Sequence, residues 1–404
     1  MHSLHAVRAA GKQFRENRVK TVVLGKTSLL FALAMGPTGA RDLMGRRAAR
    51  PCGERKGDVW ISMTVNYFLI ASLALLKICC AELTQPQYYD PTPPRRADGR
   101  RPFYIIGHMV NSVEEIDQFL RQGSNALEAD IEFAENGTVV GTYHGMPCDC
   151  FRGCFKRTPI SKFLEHLRNV TSMRDSRFRG QMSLLFLDLK TTKLSKSAKP
   201  VAGVTLAYHL VKHLWKDVHP RYRMNVLLSI GYVKDRDVTR GAISYLMKKG
   251  HGALLRNIGF DVGMNDPLKS IARMYKKLQI NGHRWQGDGL SNCLRFIMPL
   301  DRLKAAVKLR DSERGYIDKV YHWTIDLPFY IAKSVRLGVD GIITNQPHNV
   351  LGVVTSIFFQ KRLKVATMKD SPWQRFRRSP QEVLEDEGNN DTNIVAGGEE
   401  TPSE

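Results

Sequence analysis

From residue 102 onward, short apolar runs alternate with amphipathic segments. The runs at 103–107, 126–133, 184–189, 226–230, 319–324 and 339–344 have the length and composition of buried strands. Between them, apolar positions recur at helical spacing. Ser112-Val-Glu-Glu115 is a capping box, and Val113, Ile116, Phe119 and Leu120 form an apolar stripe that Gly123 brings to an end. Comparable periods predict helices over 161–168, 202–214, 267–278, 301–310 and 329–337. Strands that alternate with helices pair in parallel, and so many units in about 260 residues predict one α/β domain, a single (β/α)8 TIM barrel. Such barrels carry their active sites at the C-terminal ends of the strands. Asn136-Gly137, between two extended runs, predicts a hairpin after the second strand.

The flanks have different patterns. The apolar run 67–76 follows Met63 and leads to Cys79-Cys80-Ala81, small residues at the positions a signal peptidase reads. The run is short for a membrane-spanning helix. Residues 63–81 are therefore expected to be a signal peptide, and 1–62 an upstream extension outside the mature protein. A signal anchor, or a transit peptide in the Arg-rich segment 8–50, are the alternatives. Residues 82–101 read as a flexible Pro/Arg-rich lead-in, 102–376 as the catalytic domain, and 377–404, acidic and poor in apolar residues, as a disordered tail.

Composition adds constraints. With 43% hydrophobic and 25% charged residues the 404-residue chain is globular in type. Its net charge is +22, and residues 1–81 carry 13 Lys+Arg against 4 Asp+Glu. A basic surface favours phosphates, lipid surfaces or nucleic acid; without an RRM-like, zinc-finger or helix-turn-helix signature, no nucleic acid is expected. Of seven cysteines, Cys148, Cys150, Cys154 and Cys293 fall in the catalytic domain. The first three are too closely spaced for a usual zinc knuckle, so disulfides are expected in a secreted chain. Four cysteines allow three connectivities, and a Cys148–Cys150 bridge is disfavoured by strain. Sequons at Asn136, Asn169 and Asn390 agree with secretion.

Polar groups gather at the ends of the predicted strands. His108 follows Tyr-Ile-Ile-Gly, Glu128 and Asp130 sit two apart, His144 ends Thr-Tyr-His, and Asp188 and Lys190 again sit two apart. In a strand, residues i and i+2 share a face. Three carboxylates in a barrel mouth make an all-oxygen site suited to Mg2+. Two histidines beside a metal suit general acid/base work on a phosphate ester.

Several stretches, in order, resemble the arachnid sphingomyelinase D or dermonecrotic toxin family, relatives of the glycerophosphodiester phosphodiesterases. They are Gly107-His-Met-Val-Asn111, Leu127-Glu-Ala-Asp-Ile131, Tyr143-His-Gly-Met-Pro-Cys-Asp-Cys150 with Cys154, Leu187-Asp-Leu-Lys-Thr191, Gly282-His-Arg-Trp-Gln-Gly-Asp-Gly289 with Asn292-Cys293, Val320-Tyr-His-Trp-Thr-Ile-Asp326, Gly341-Ile-Ile-Thr-Asn345 and Val365-Ala-Thr-Met-Lys-Asp-Ser-Pro-Trp373. The resemblance implies that His108 and His144 are the acid/base pair, and that Glu128, Asp130 and Asp188 hold one Mg2+ per subunit. It implies that Lys190 contacts phosphate and that Asp149 orients the second histidine. Tyr321, Trp323, Asp326 and Asn345 match substrate contacts, and Cys148–Cys154 with Cys150–Cys293 match the two-bridge subfamily. The implied activity is that of a secreted, monomeric, phospholipase D-type enzyme. It would act on sphingomyelin and lysophospholipids at membrane or lipoprotein surfaces, by intramolecular transphosphatidylation to a cyclic phosphate. A hydrolytic glycerophosphodiesterase is the rival, although such enzymes usually have Arg directly after the first histidine, where this chain has Met109. A catalytically silent binding paralogue is a second rival. Leu327, Gln346-Pro-His348 and Ala129 depart from common family residues, which leaves choline against ethanolamine open.

Overall fold

The computed structural model describes residues 99–384, except 151, 295, 296 and 298. The upstream extension, the signal peptide, nearly all of the lead-in and residues 385–404 of the tail lie outside the described residues. Eight strands form the barrel: β1 (Arg101–Gly107), β2 (Ala126–Phe133), β5 (Leu184–Leu189), β6 (Asn225–Ile230), β7 (Ile258–Val262), β8 (Trp285–Gly289), β9 (Lys319–Trp323) and β10 (Gly341–Thr344). They run β7-β6-β5-β2-β1-β10-β9-β8 with every neighbour parallel. A parallel bridge from Phe260 to Arg284, the residue before β8, joins the two ends of that order. Strands β3 (Val139–Thr142) and β4 (Thr158–Pro159) extend β2 as an antiparallel hairpin, as the Asn-Gly turn predicts. Strand β11 (Leu363–Val365) adds to the first residues of β1.

The helices are α1 (Val113–Arg121), α2 (Ile160–Thr171), α3 (Ala198–His209), α4 (Arg236–Lys248), α5 (Leu268–Leu278), α6 (Asp301–Asp311), α7 (Pro328–Arg336) and α8 (Pro347–Val354). The capping box of α1 is formed in full: Ser112 accepts from the Glu115 N–H, and the Glu115 side chain accepts from the Ser112 N–H. Four of the barrel's strands and helices were not evident from periodicity. Strands β7 and β8 contain glycine where their neighbours carry bulk: a Cβ at Gly259 would lie 2.2 Å from the Trp373 ring, and one at Gly287 would lie 2.3 Å from Tyr321. Aromatic side chains fill the barrel there, so these strands have no apolar run to read. Helix α4 packs on α3 through glycines, since a Cβ at Gly203 would lie 1.9 Å from the Val238 carbonyl and one at Gly241 would lie 2.1 Å from that of Pro200. Such backbone approach leaves α4 polar in sequence. Helix α8 is only 8 residues long.

Tyr104, Ile106, Phe186, Leu227, Trp285 and Tyr321 fill the barrel interior, while separate apolar layers lie between strands and helices. At the N-terminal end of the barrel, Asp340 accepts from Arg310 at 2.5 Å, Arg101 at 3.0 Å and the Val320 N–H at 2.9 Å. The chain after β11 covers this end: the Trp285 indole donates to the Pro372 carbonyl at 2.9 Å, and Arg375 pairs with Asp318 at 2.8 Å. Ordered contacts pass the expected limit at 376, because Arg378 pairs with Asp311 at 3.1 Å.

Candidate active site at the barrel mouth

The strand register brings the carboxylates together. Asp130 on β2 lies opposite Asp188 on β5, and Glu128 projects from the same face of β2. Carboxylate oxygens of Glu128, Asp130 and Asp188 all lie within 4.8 Å of one another. Lys190 donates from Nζ to Asp130 and Asp188, each at 2.7 Å. Asn111 fixes Asp130 from two sides, donating to Oδ2 at 2.7 Å and accepting from its N–H at 3.0 Å. The Met109 N–H donates to Glu128 Oε2 at 2.7 Å. Burial, then Asp130 and Asp188, push the Glu128 carboxyl well above its usual range. Burial is the largest influence on Asp130 and opposes its ionisation, but Lys190, His144 and the Asn111 hydrogen bond together outweigh it and the carboxyl sits low. For Lys190 the desolvation cost is likewise overcome, by Asp188, Asp130 and Glu128, and its ammonium is held more firmly than usual. An all-oxygen set that already gathers one cation and strains against its own charge fits a hard divalent ion.

The histidines reach this mouth from two strand ends. His108 follows β1, and its N–H donates to the Thr344 carbonyl at 3.0 Å. Its Nδ1 faces Asn345 Oδ1 at 3.0 Å. Asn345 Nδ2 donates to Asp149 and Asp326, both at 3.0 Å, so Oδ1 is the acceptor and His108 Nδ1 carries the proton. His108 Nε2 is left for chemistry. Burial, then Arg152, hold the His108 pKa below its ordinary value against the opposite pull of Asp149 and Asp130. His144, just after β3, donates from Nδ1 to the Gly145 carbonyl at 2.7 Å, which likewise leaves Nε2 for proton transfer.

Asn345 is the hub of the second layer. Its Oδ1 also accepts from Arg152 at 2.8 Å, and its N–H donates to Asp326 at 2.7 Å. Asp326 accepts from Thr344 at 2.9 Å and from Asn292 as well. Beside the hub opens a cleft of about 970 Å3 lined by Glu115, Arg152, Lys156, Asn292, Asp326 and Leu327, among others. The disulfides are Cys148–Cys154 and Cys150–Cys293. The second ties the loop after His144 to the loop after β8.

One expectation needs correction. Asp149 does not contact His144; its Oδ2 lies 3.6 Å from His108 Nδ1, and its Oδ1 accepts from the Asn292 N–H at 3.0 Å. The disulfide-bonded loop carries Asp149 across the mouth to the first histidine, and the Gly145 carbonyl takes the partner role at the second. Tyr321 is buried, and its hydroxyl donates at 2.9 Å to Asp261, which the strand register places level with Ser229, Asp188 and Asp130. Trp323, at the end of β9, is half-buried, with an indole N–H that has no partner among the described residues. Sequence reading also missed Arg152, which joins Asn345, the Met109 carbonyl at 2.9 Å and Glu115 at 3.3 Å. A lone cation among the five residues between Cys148 and Cys154 was the available signal. Also missed was Asp261, whose carboxyl burial raises to about 7 against the pull of Ser229 and Tyr321.

Comparison with known proteins extends the picture. Residues 98–373 match the family described as dermonecrotic toxin SPH. The dermonecrotic toxin SPH of Ixodes scapularis is 48% identical over 283 residues, 69% of this chain and 78% of that protein. Dermonecrotic toxin LarSicTox-alphaIII1 of Loxosceles arizonica is 40% identical over 274 residues, 68% of this chain and 100% of that one. A putative glycerophosphoryl diester phosphodiesterase from Silicibacter pomeroyi DSS-3 aligns over 65% of this chain and 96% of its own, at 14% identity and a TM-score of 0.42.

Proposed function

The chain belongs to the dermonecrotic toxin SPH family of phosphodiesterase-type enzymes, and on that premise we propose that it is a secreted, Mg2+-dependent phospholipase D-type lyase. The substrates are sphingomyelin and lysophospholipids, and the products a cyclic phosphate and choline or ethanolamine. The observation that carries this reading is the meeting, at one mouth, of two histidines with committed Nδ1 atoms and three carboxylates braced by Lys190. Glu128, Asp130 and Asp188 would hold the ion, which when bound supplies positive charge against the phosphoryl oxygens. Lys190 adds a second positive charge on that side.

His108 Nε2 takes the proton of the lipid's own hydroxyl as its oxygen bonds to phosphorus. His144 Nε2 gives a proton to the head-group oxygen as the P–O bond to it breaks, so the head group leaves as an alcohol and not as an alkoxide. Attack from within the substrate makes proximity a large part of the rate. Asn345, held by Asp149 and Asp326, keeps His108 in the required tautomer. The half-buried Trp323 face suits a quaternary ammonium by cation–π attraction. Two disulfides and the toxin names of the relatives support secretion. Among the described residues no helix is long and apolar enough to cross a membrane.

The test is release of choline or ethanolamine from sphingomyelin, lysophosphatidylcholine and lysophosphatidylethanolamine by purified secreted protein with Mg2+. Release from any of them, lost in the folded His144→Ala variant, supports the reading. Absence of release from all three would defeat it.

A further inference from the structure

Positive charge is concentrated at the N-terminal end of the barrel, opposite the mouth. The segments 172–183, 215–224 and 249–257 lead into β5, β6 and β7, which are neighbours in the sheet. Together they hold eight Lys or Arg against two acids, Asp175 and Asp217. Among the described residues, only Arg177 of the eight pairs with a carboxylate, that of Asp117. Arg174, Arg221 and Arg256 are exposed, and Arg179 and Arg223 half-buried. The segments are pinned to one another. The Arg179 guanidinium lies 3.8 Å from the centroid of the Tyr222 ring, and that of Arg221 lies 5.9 Å from the same centroid. Asn257 donates to the Asn225 side chain at 3.1 Å, which joins the approach to β7 to the start of β6. The chain after β11 adds to the same face. Its Met368 N–H donates to the Gly180 carbonyl at 3.0 Å, which brings the exposed Lys369 beside these segments, and its Trp373 indole donates to the Arg256 carbonyl at 3.0 Å.

Cations held side by side repel one another, and an anionic chain laid across them relieves that repulsion while releasing its own counterions. Guanidinium groups add directed, paired hydrogen bonds to such anions. Position and surroundings then choose among polyanions. A bilayer held here would meet the end of the barrel that lies away from the histidines and carboxylates. Single-stranded nucleic acid is gripped by open aromatic faces, whereas the rings here are buried, as Phe178 and Trp215 are, or covered by guanidinium groups, as Tyr222 is. We infer that the face formed by Arg174, Arg179, Arg221, Arg223, Arg256 and Lys369 binds a sulfated polysaccharide chain and leaves the mouth open. The secretion proposed above would bring the protein to such chains, but the binding itself does not rest on lipid cleavage. Held in this way, the enzyme is retained at a glycan-coated surface while its catalytic end stays free to take lipid.

The experiment compares three secreted proteins: wild type, the face variant Arg179→Gln/Arg221→Gln/Arg256→Gln, and the control Lys162→Gln/Lys269→Gln/Lys304→Gln. The control removes the same charge from exposed positions in the first turns of α2, α5 and α6, at the other end of the helical layer. Isothermal titration with a heparin octasaccharide at physiological ionic strength measures binding, and head-group release is measured with and without saturating octasaccharide. We expect the face variant to lose at least tenfold in affinity, with the slope of log Kd against log salt smaller by about 2. The control should stay within twofold of wild type. Desulfated octasaccharide should bind wild type at least tenfold more weakly, and turnover should change less than twofold when heparin is bound. If the triple variant does not fold by circular dichroism, Arg221→Gln/Arg256→Gln, which keeps the Arg179–Tyr222 contact, should still lose at least threefold. No binding by wild type, or equal losses in face variant and control, would overturn the inference. So would face-dependent binding of duplex DNA or phosphatidylserine vesicles as tight as that of heparin, or heparin that blocks turnover by occupying the mouth. Face-dependent heparin binding by a protein that releases no head group would sink the proposed activity and leave this surface standing.

Discussion

Replacing Asn345 by Asp tests the tautomer and base assignment at His108 together. The amide oxygen lies 3.0 Å from His108 Nδ1 and 2.8 Å from Arg152. In Asn345→Asp that oxygen becomes part of a carboxylate, and an opposite charge so near raises an imidazole pKa by about 1–3 units. Arg152 shares the new charge, so about 1–2 units is the fitting range, equivalent to about 1.5–3 kcal/mol in favour of imidazolium. In the native protein, burial and Arg152 keep His108 below its ordinary value. A base must be neutral to act, so raising its pKa moves the acid limb of the kcat/KM profile to higher pH by the same about 1–2 units. Below both limbs the variant should be about tenfold to hundredfold slower; above both, the curves should converge. The variant also loses the bonds donated to Asp149 and Asp326, which lowers stability by a few times about 1 kcal/mol, and circular dichroism must establish that it is folded. Head-group release at constant ionic strength between pH 5 and 9 provides the profile. An acid limb that stays in place in the folded variant would show that His108 is not the base.

Other outcomes follow from the same geometry. Asp188→Asn, or removal of divalent ions by chelation, should reduce turnover at least a hundredfold while leaving the barrel's circular dichroism unchanged; undiminished turnover in chelator would leave the carboxylate cluster without its proposed purpose. Asp340 is held at about 2 within a fully buried setting, against an ordinary 3.8, by Arg310, Lys319 and Arg101 working against burial. Its folded pKa is depressed, so it contributes about 2 kcal/mol of stability above pH 4 that is lost as pH falls through 4 to 2. Urea midpoints across that window should drop in wild type, and Asp340→Asn, less stable at neutral pH, should show a smaller acid-dependent drop; parallel curves would contradict this. Reduction of the disulfides should free the loops bearing His144 and Asn292, so activity should disappear at lower reductant or denaturant than the barrel's circular dichroism. Simultaneous loss would mean that the bridges hold the fold as a whole.

The parts of the molecule legible in the sequence are those where one strand end carries both its apolar run and its chemistry. Strands β1, β2 and β5 announce themselves by apolar residues that end in His108, Glu128 with Asp130, and Asp188 with Lys190, and two-residue spacing on a strand already implies a shared face. Strands β7 and β8 were silent because their interior positions are Gly259 and Gly287, vacated for Trp373 and Tyr321 that come from elsewhere in the chain. The same kind of non-local fact explains Asp149. The family resemblance implies that it orients His144, but the Cys148–Cys154 loop turns it toward His108. Arg152 and Asn345 meet across 193 positions of sequence, a contact that no local pattern encodes.

Phosphorus NMR of the product made from lysophosphatidylcholine decides the mechanism. Attack by the lipid's own hydroxyl, with His108 as its base, gives a cyclic phosphate as the first phosphorus-containing product, together with one equivalent of choline. A linear phosphate formed from the outset, with no cyclic species preceding it, would mean that water is the nucleophile and that the proposed lyase mechanism is wrong.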